Sequence, residues 1–364
     1  MRVADQYYRT IWVDEGQLPD VQIIDQRYLP HEFHIETISS YKQMAIAIKE
    51  MHLRGAGLIG VAGAFGVYLA YRDAFQANQP MVFVDGAITE ILNTRPTAVN
   101  LKWAIDKVCP RVASGLTLEE KAHIALDAAK QLADHDAESC RLIGLHGLPL
   151  IEEISERKKG GVVNILTHCN AGWLAFTDYG SALSPIYLAH RKGIKLHVWV
   201  DETRPRNQGA ALTTWELLNE GVPHTLIADN TGGHLMQNQM VDMVITGADR
   251  IAANGDTANK IGTYLKALAA HDNGIPFYVA APTSTIDFAL AEGLGKIPIE
   301  ERSGNEVRYV RGLYNGNIVD MLICPENTPA VNYGFDITPA RLISGFITEK
   351  GVVNNIKLLM NLNR

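Results

Sequence analysis

Two polar side chains in the second half of the chain directly follow apolar runs and suit acid–base chemistry. Asp249 comes after VITGA, so its carboxylate is expected to emerge from an apolar strand into a partly dry site. Burial of that kind raises the pKa of a carboxyl group towards the protonated state that a general acid needs. Cys169 follows the run VNILTH and offers a thiol. Each has a plainer interpretation: Asp249 as a helix cap or the ion-pair partner of Arg250, and Cys169 as a small buried apolar residue.

Three other segments carry groups that suit a bound anion. Arg54 stands immediately before a glycine-rich turn, and the run DETRPRNQGA contains Gln208 after two arginines. Asn259 and Lys260 are predicted to open the helix ANKIGTYLKAL, whose free N–H groups attract negative charge. A structural role is the alternative for the first two: close helix packing for the glycines, and helix capping for DETRPRNQGA.

The segment HLRGAGLIGVAGAFG (52–66) contains glycines at the G-x-G-x-x-G spacing of dinucleotide-binding loops. That fingerprint requires a strand before the glycines, a helix after them and an acidic residue about 20 positions further on. Here the preceding SSYKQMAIAIKEM has helical spacing, and the acidic Asp85 falls inside a helix predicted over 81–92. We therefore interpret the spacing as small residues at the start of a helix. A dinucleotide-dependent oxidoreductase would require a strand before Gly55.

The composition narrows the class of protein further. The formal charge is −7, from 33 basic and 40 acidic residues with no basic block, so nucleic acid is not an expected partner. The four cysteines lie far apart, which predicts neither a disulfide framework nor a zinc site and fits a reducing cytoplasm. No apolar window is long enough to span a membrane. Because no Walker A loop, G-x-S-x-G elbow or metal-spaced cluster occurs, we do not expect metal chemistry, nucleotide hydrolysis or serine chemistry.

The pattern along the chain predicts two domains that would position these groups. Residues 1–154 are predicted as a mostly helical domain with a short extended start, and SERKKGG (155–161) as the connection. Residues 155–364 alternate β-rich and helical runs, which predicts a Rossmann-like, doubly wound parallel sheet. The further helices of the first domain are predicted over 97–108 and 118–142.

Six β-rich runs are predicted as the strands of the second domain. Ligands of open parallel sheets bind outside the carboxyl ends of the strands. Cys169 and Asp249 both lie at such ends, so we expect them to share a pocket. The six runs cover residues 163–169, 196–202, 224–229, 242–249, 276–282 and 320–325.

Longer stretches of the chain resemble the methylthioribose-1-phosphate isomerases of methionine salvage. These enzymes are related to the regulatory subunits of the initiation-factor-2B exchange complex and to archaeal ribose-1,5-bisphosphate isomerases. The resemblance runs nearly end to end, and the runs RPTAVNL and GADRIAANGDTANKIGTY favour the isomerase branch. Its other main segments are IIDQRYLP (23–30), HLRGAGLIGVAGAFG, ILTHCNAG (165–172), VDETRPRNQGA (200–210) and IPIEERSGNEV (297–307).

The resemblance implies an aldose–ketose isomerase that converts 5-methylthioribose 1-phosphate to 5-methylthioribulose 1-phosphate without a metal or nucleotide. It also implies a helical domain over a Rossmann-like domain, and a cytoplasmic homodimer. Asp249 and Cys169 would be the catalytic pair. The substrate would be held by Arg54, Gly55, Ala56, Arg95, Gln208, Asn259 and Lys260.

Several positions depart from the family pattern and leave the substituent at C5 of the sugar open. Gly57-Leu58 stands where Pro-Ala is usual, and Ala211 stands where arginine is usual; 173–183 and 228–236 also differ. One alternative is therefore a 5-deoxyribose 1-phosphate isomerase that disposes of a by-product. Another, from a different class, is a non-catalytic regulatory subunit that senses a sugar phosphate or a nucleotide. The joint presence of the cysteine and the aspartate argues against the regulatory subunit.

Overall fold

The computed structural model of the chain describes residues 1–4, 6–95 and 99–360. In the described N-terminal part, short strands precede a helical bundle. The strands are β1 (Arg2–Val3), β2 (Gln6–Tyr7), β3 (Ile11–Val13), β4 (Val21–Ile24) and β5 (Ile35–Ile38), of which the last three form an antiparallel sheet. The helices are α1 (Tyr41–Lys49), α2 (Ala56–Gln76), α3 (Met81–Thr94), α4 (Val99–Val112) and α5 (Leu118–Arg157).

The glycine-rich segment begins the long helix α2. Helix α1 starts after Ser40, whose hydroxyl accepts the N–H of Gln43 at 3.2 Å, and it ends at Lys49. Residues 50–54 are a short connection, so no strand precedes Gly55 in this described stretch, and Asp85 lies within α3 as predicted. The conditions for a dinucleotide fingerprint are therefore not met. Nearly all of α2 is buried, because α1, α3, α4 and α5 pack around it.

Helix α5 is much longer than the predicted helix over 118–142. It begins with a capping box between Thr117 and Glu120 and continues to Arg157, so part of the predicted connection over 155–161 is helical. Buried residues continue at helical spacing through Ile143, Ile151 and Ile154, so the helix runs from the N-terminal core onto the large sheet of the second part of the chain. The helix predicted over 97–108 is α4, which extends to Val112; residues 97 and 98 lie outside the described part.

The second part of the chain alternates strands and helices around one large sheet. Its helices are α6 (Ser184–Arg191), α7 (Thr214–Asn219), α8 (Thr231–Gln237), α9 (Thr263–Asp272), α10 (Asn305–Arg308) and α11 (Lys357–Met360). Its strands are β6 (Val163–Thr167), β7 (Leu196–Asp201), β8 (His224–Ile227), β9 (Met243–Thr246), β10 (Arg250–Ala252), β11 (Thr257–Lys260), β12 (Phe277–Ala280), β13 (Ile286–Asp287), β14 (Glu301–Arg302), β15 (Tyr309–Tyr314), β16 (Asn317–Leu322), β17 (Asn332–Tyr333), β18 (Phe335–Thr338), β19 (Gly345–Thr348) and β20 (Gly351–Val353).

The large sheet has the order β20-β19-β12-β9-β6-β7-β8 and is parallel except for β20. Alternate side chains of its strands enter two separate cores, as a doubly wound sheet requires. Ile165 packs with α5 and α6 on one face, whereas Leu166 packs with α8 and α9 on the other. The predicted fold class, a helical part followed by a Rossmann-like parallel sheet, is therefore confirmed.

Two secondary-structure predictions for the second part are wrong. The run 320–325 belongs to the antiparallel hairpin β15–β16, and the parallel strand missed in its place is β19. Residues 257–260, predicted to open a helix, form β11, and helix α9 starts only at Thr263. Antiparallel pairing with β10 and β18 overrides the helical propensity of this run. Among the described helices, none combines the length and apolarity that a membrane span needs.

Candidate active site

Strands β6 and β9 are neighbours in the sheet although two other strands lie between them in the chain. From β6 the chain adds β7 and β8 on one side, whereas from β9 it adds β12 and β19 on the other. Such a reversal leaves a crevice at the carboxyl ends of the two strands, where doubly wound sheets bind ligands. Cys169 lies just beyond β6, and Asp249 lies just beyond β9. The topology therefore brings the thiol and the carboxyl group to one crevice.

A cavity at this crevice brings together all the site residues predicted from the sequence. It takes in the start of α2 as well as the sheet edge, so the helical N-terminal part and the sheet-containing part of the chain both contribute to its wall. Met51, Arg54 and Gln208 also line a larger neighbouring cavity of about 460 Å³. The predicted residues in its lining are Arg54, Gly55, Ala56, Arg95, Cys169, Gln208, Asp249, Asn259 and Lys260.

The main chain holds Cys169 in a rarely adopted conformation. Its φ of +65° lies in the left-handed region, which side-chain-bearing residues seldom occupy outside functional or strained sites. Two threonines fix the residue: its N–H donates to Thr203 Oγ1 at 2.8 Å, and its carbonyl accepts from Thr213 Oγ1 at 2.7 Å. The thiol is thereby held in the wall of the cavity and is nearly buried.

The carboxyl group of Asp249 has the environment that the sequence predicted. Burial raises its pKa, and the positive charges of Lys260, Arg54 and Arg95 oppose that rise. The alternative role as partner of Arg250 is not seen, because that guanidinium pairs with Asp287 at 3.2 Å. The carboxyl group thus faces the cavity with its proton affinity increased, as a proton donor requires.

Asn259 and Lys260 reach the cavity from strand β11. The ammonium group of Lys260 donates to the carbonyl of Gly334 at 2.8 Å and lies 4.7 Å from the ring centre of Phe335. Burial lowers the pKa of this lysine, whereas the charges of Cys169 and Asp249 raise it. The amide of Asn259 donates to Thr263 Oγ1 at 3.0 Å. A sheet register, and not the free N–H groups of a helix, therefore positions these two anion-binding candidates.

A buried carboxylate orients Arg54 through one intermediate residue. Both terminal nitrogens of Arg54 donate to the main-chain carbonyl of Asn170, at 3.1 and 2.9 Å, and one of them also reaches the side-chain oxygen. The Asn170 amide in turn donates to Glu216 at 2.7 Å. Glu216 is fully buried and also accepts the N–H groups of Trp173 and Leu174 at 2.9 and 3.2 Å. Sequence reasoning missed Glu216, although an acidic residue among the apolar positions of TTWELL could have signalled it.

A glycine at the start of α2 allows this helix and the segment around Ala175 to approach closely. Gly55 has a φ of +105°, and a Cβ atom there would fall 2.5 Å from the carbonyl oxygen of Ala175. Gly55 and Ala56 line the cavity, so the N-terminus of α2 lies at its wall, where free N–H groups favour an anion. The close-packing interpretation of this segment therefore holds for its geometry, and the anion-site interpretation stays a prediction.

Arg95 enters the cavity from the end of α3 and is paired with an acidic side chain. Its guanidinium donates to Glu300 at 3.0 Å. Burial alone would raise the pKa of Glu300, but the guanidinium groups of Arg95 and Arg302 outweigh it and lower the pKa. Arg95 is thus a fixed cation at the edge of the site.

The loop DETRPRNQGA contributes one residue to the cavity lining. Gln208 precedes the turn of π-helix at Gly209–Thr213, and its Oε1 is buried with no hydrogen-bond partner among the described residues. Arg204 donates to the carbonyl of Val307 at 2.6 Å, and Arg206 pairs with Glu306 at 2.9 Å. Both arginines therefore serve contacts within the domain.

Within the part of the chain that the structure describes, two clusters contain side chains of the types that bind metals, but their groups already engage one another. His168 Nδ1 lies 2.9 Å from Asp201 Oδ2, and its Nε2 lies 2.8 Å from the carbonyl of Ile261. Lys266 adds an ammonium group 3.2 Å from the same carboxylate. Both ring nitrogens of His168 are therefore engaged by groups of the protein. The second cluster contains Asp25, Glu36 and His52. Here Asp25 pairs with Arg27, and Glu36 pairs with His52.

Comparisons with known proteins place this geometry in a family. Residues 52–355 match the model of the Initiation factor 2 subunit family. A methylthioribose-1-phosphate isomerase from Desulfatibacillum aliphaticivorans is 53% identical over 97% of this chain and 95% of its own. The crystal structure of a 5-methylthioribose 1-phosphate isomerase from Pyrococcus horikoshii matches with a TM-score of 0.83 and 40% identity, over 98% of this chain and 96% of its own.

A translation initiation factor subunit has a similar fold. The eIF-2B subunit delta from A. fulgidus matches with a TM-score of 0.77 and 36% identity, over 95% of this chain and 96% of its own. The higher identity and TM-score lie with the isomerases. The chain therefore belongs to the initiation factor 2 subunit family and, within it, to the methylthioribose-1-phosphate isomerases.

Proposed function

We propose that the chain is an aldose–ketose isomerase that converts 5-methylthioribose 1-phosphate to 5-methylthioribulose 1-phosphate, a step of methionine salvage. One observation carries the proposal: Cys169 and Asp249 follow adjacent strands at the switch point of the sheet and line one cavity with three cationic side chains. The names of the isomerases that it matches from end to end support the same substrate.

Asp249 is the proposed acid that opens the sugar ring. A ribose phosphorylated at C1 has no free anomeric hydroxyl, so the bond between C1 and the ring oxygen breaks only if that oxygen gains a proton. The raised pKa of Asp249 suits the delivery of this proton. The resulting carboxylate then accepts the proton that leaves the C2 hydroxyl as the C2 ketone forms.

Two routes can move the remaining hydrogen from C2 to C1. In the first, this hydrogen passes directly from C2 to C1 as a hydride, and Cys169 is part of the cavity wall that keeps water away from it. In the second, the Cys169 sulfur takes it from C2 as a proton, leaving a C1–C2 enol, and returns a proton to C1. Both routes end with a C1 methylene that still bears the phosphate, so the reaction needs no external oxidant or reductant.

Arg54, Arg95 and Lys260 are the proposed ligands of the phosphate, with neutral donors from Gln208 and Asn259. Their charges favour a bound dianion and oppose its departure from C1. Arg54 is already oriented by Asn170, so little of its freedom is lost on binding. The phosphate thus fixes the sugar relative to Asp249, and its binding energy serves the chemical step.

We further propose a cytoplasmic homodimer. The hairpin β15–β16 leaves Leu313, Tyr314 and Met321 exposed by 55%, 62% and 51%, respectively. An isolated two-stranded hairpin with exposed apolar side chains is marginal in water, so a second copy of the chain is a suitable cover. Sedimentation velocity of the protein and of the variant Leu313→Glu tests this: a dimer that the substitution dissociates supports the proposal, and a monomeric parent protein contradicts it.

The proposed activity is tested by assaying purified protein with 5-methylthioribose 1-phosphate and 5-deoxyribose 1-phosphate side by side. Faster turnover of the methylthio compound supports the proposal. Preference for the deoxy compound would instead assign the by-product isomerase. Folded protein that turns over neither compound would contradict the isomerase and favour the regulatory subunit, whose fold the A. fulgidus eIF-2B subunit delta shares.

A further inference from the structure

Part of the cavity lining is apolar. The larger apolar side chains in its lining are Met51, Ile59, Phe176 and Phe335. The ring of Phe335 lies under the ammonium group of Lys260 and therefore already makes a cation–π contact. Met51, Ile59 and Phe176 remain as a surface that offers no hydrogen bond. A ligand with one apolar end would place that end here.

Phe176 is the aromatic member of this surface and is held firmly from behind. It follows the short 3-10 turn Trp173–Ala175 and is only 4% exposed. Cys140 and Ala175 pack against it, with Tyr179 at the border of the same cluster. The ring is therefore packed within a small apolar cluster.

The ring of Phe176 occupies the place that a side chain at position 57 would take. A Cβ atom on Gly57 would fall 2.3 Å from Phe176 Cδ1 and 2.6 Å from Asp136 Oδ1. Asp136 cannot move aside freely, because its other oxygen accepts the N–H of Thr177 at 2.7 Å. A methyl group at position 57 would thus displace the phenylalanine ring from its present position.

We propose that Phe176, seated in the space left by Gly57, contacts the substituent at C5 of the sugar and sets the size that the site accepts. This inference rests on the proposed function. The cations and amides of the cavity bind the phosphate at C1, so the apolar group at the other end of the sugar meets the apolar wall. A thioether beside an aromatic ring makes a favourable contact, which suits a methylthio group.

The test compares kcat/KM for ribose 1-phosphates that carry hydrogen, methylthio or ethylthio at C5. The parent protein, Phe176→Ala, Gly57→Ala and the double variant are measured with each compound. One methylene in an apolar pocket changes kcat/KM by about 10- to 200-fold. We therefore expect Phe176→Ala to raise the ratio of ethylthio to methylthio by about tenfold or more. Gly57→Ala should lower kcat/KM for both thioether compounds relative to kcat/KM for the deoxy compound. The double variant should restore these values.

A matched control distinguishes loss of the Phe176 contact from a general disturbance of the apolar cluster. Tyr179→Leu alters the same apolar cluster without changing the cavity lining, so it should leave the three ratios within about twofold of the parent values. Should Phe176→Ala fold poorly, Phe176→Leu keeps the contact with Cys140 and should give a smaller shift in the same direction.

The outcomes distinguish this inference from the function on which it rests. If the parent protein turns over none of the three compounds, the proposed function fails. If the parent protein is active but the ratios do not change in the folded Phe176 and Gly57 variants, the C5 group lies elsewhere and this inference is overturned. A shift in Tyr179→Leu equal to that in Phe176→Ala would also overturn it.

Discussion

Replacing Asp136 with asparagine should change how the stability of the protein depends on pH. Asp136 lies on α5 beside Gly57 and Phe176, and it accepts the main-chain N–H of Thr177 at 2.7 Å. Burial raises its pKa from 3.8 to about 6, although the contacts with Thr177 and the charge of Arg9 act against that rise. Asparagine retains an acceptor for the Thr177 N–H and cannot ionise, so the substitution isolates the titration.

The sign follows from the number of protons bound in each state. Between the two pKa values the folded protein holds a proton on Asp136 that the unfolded chain has lost, so the free energy of unfolding falls as pH rises. A rise of the pKa from 3.8 to about 6 corresponds to about 3 kcal/mol, at about 1.4 kcal/mol for each pH unit. This stability is fully present below pH 3.8 and is lost as pH rises through about 6.

The measurement is urea unfolding of the parent protein and of Asp136→Asn between pH 4 and pH 8. The free energy of unfolding of the variant, relative to the parent, should grow by about 3 kcal/mol across this range and level off above the folded-state pKa. Asp134→Asn is the control, since that exposed carboxylate is on the same helix and forms only a surface ion pair with Arg9. A difference that stays constant with pH would refute the assignment of a buried, proton-binding carboxyl group.

The other predictions concern the cavity and its supports. Asp249→Asn and Cys169→Ala should each lower kcat by about a hundredfold or more, as for lost acid–base groups, and near-normal turnover by either folded variant would remove that residue from the mechanism. Because burial raises the pKa of Asp249, kcat/KM should fall as pH rises through that pKa. Asp249→Glu should shift the pH at which this fall occurs. If the fall stays at the same pH, another group is responsible for it. Glu216→Gln should destabilise the protein by about 1–3 kcal/mol, because the new amide leaves a buried N–H such as that of Trp173 without an acceptor. An unchanged free energy of unfolding in urea would show that this contact does not stabilise the protein.

Much of the fold follows from local patterns in the sequence. The apolar runs that end at Cys169 and Asp249 predict strands, and the rule for parallel sheets then predicts that their carboxyl ends share a crevice. The switch point itself does not follow from the sequence, because it depends on the adjacency of β6 and β9, which only the packed sheet establishes. The sequence alone also misplaced Lys260 on a helix, since pairing with β18 is a long-range contact that outweighs propensity.

The supports of the site were harder to predict than the residues in its lining. Phe176 follows a short 3-10 turn with no periodic pattern, and its place depends on a glycine more than a hundred residues away in the chain. Glu216 acts on Arg54 only through Asn170, so neither its type nor its spacing indicates the connection. The departure from the family pattern at Gly57 lies next to Phe176 of the cavity lining, and its effect on the choice of substrate stays a prediction.

The central claim is that the cavity interconverts an aldose 1-phosphate and its ketose without loss of the phosphate. The measurement is nuclear magnetic resonance of 5-methylthioribose 1-phosphate labelled with carbon-13 at C1 and deuterium at C2. It follows the transfer of hydrogen from C2 to C1 and the bond between C1 and the phosphate. The account predicts that the C1 methine becomes a phosphate-bearing methylene and that C2 becomes a ketone, with no inorganic phosphate released. Deuterium retained at C1 assigns the hydride route, and its loss to water assigns the proton route through Cys169. An unchanged C1 signal with folded protein, or release of phosphate, would contradict the claim.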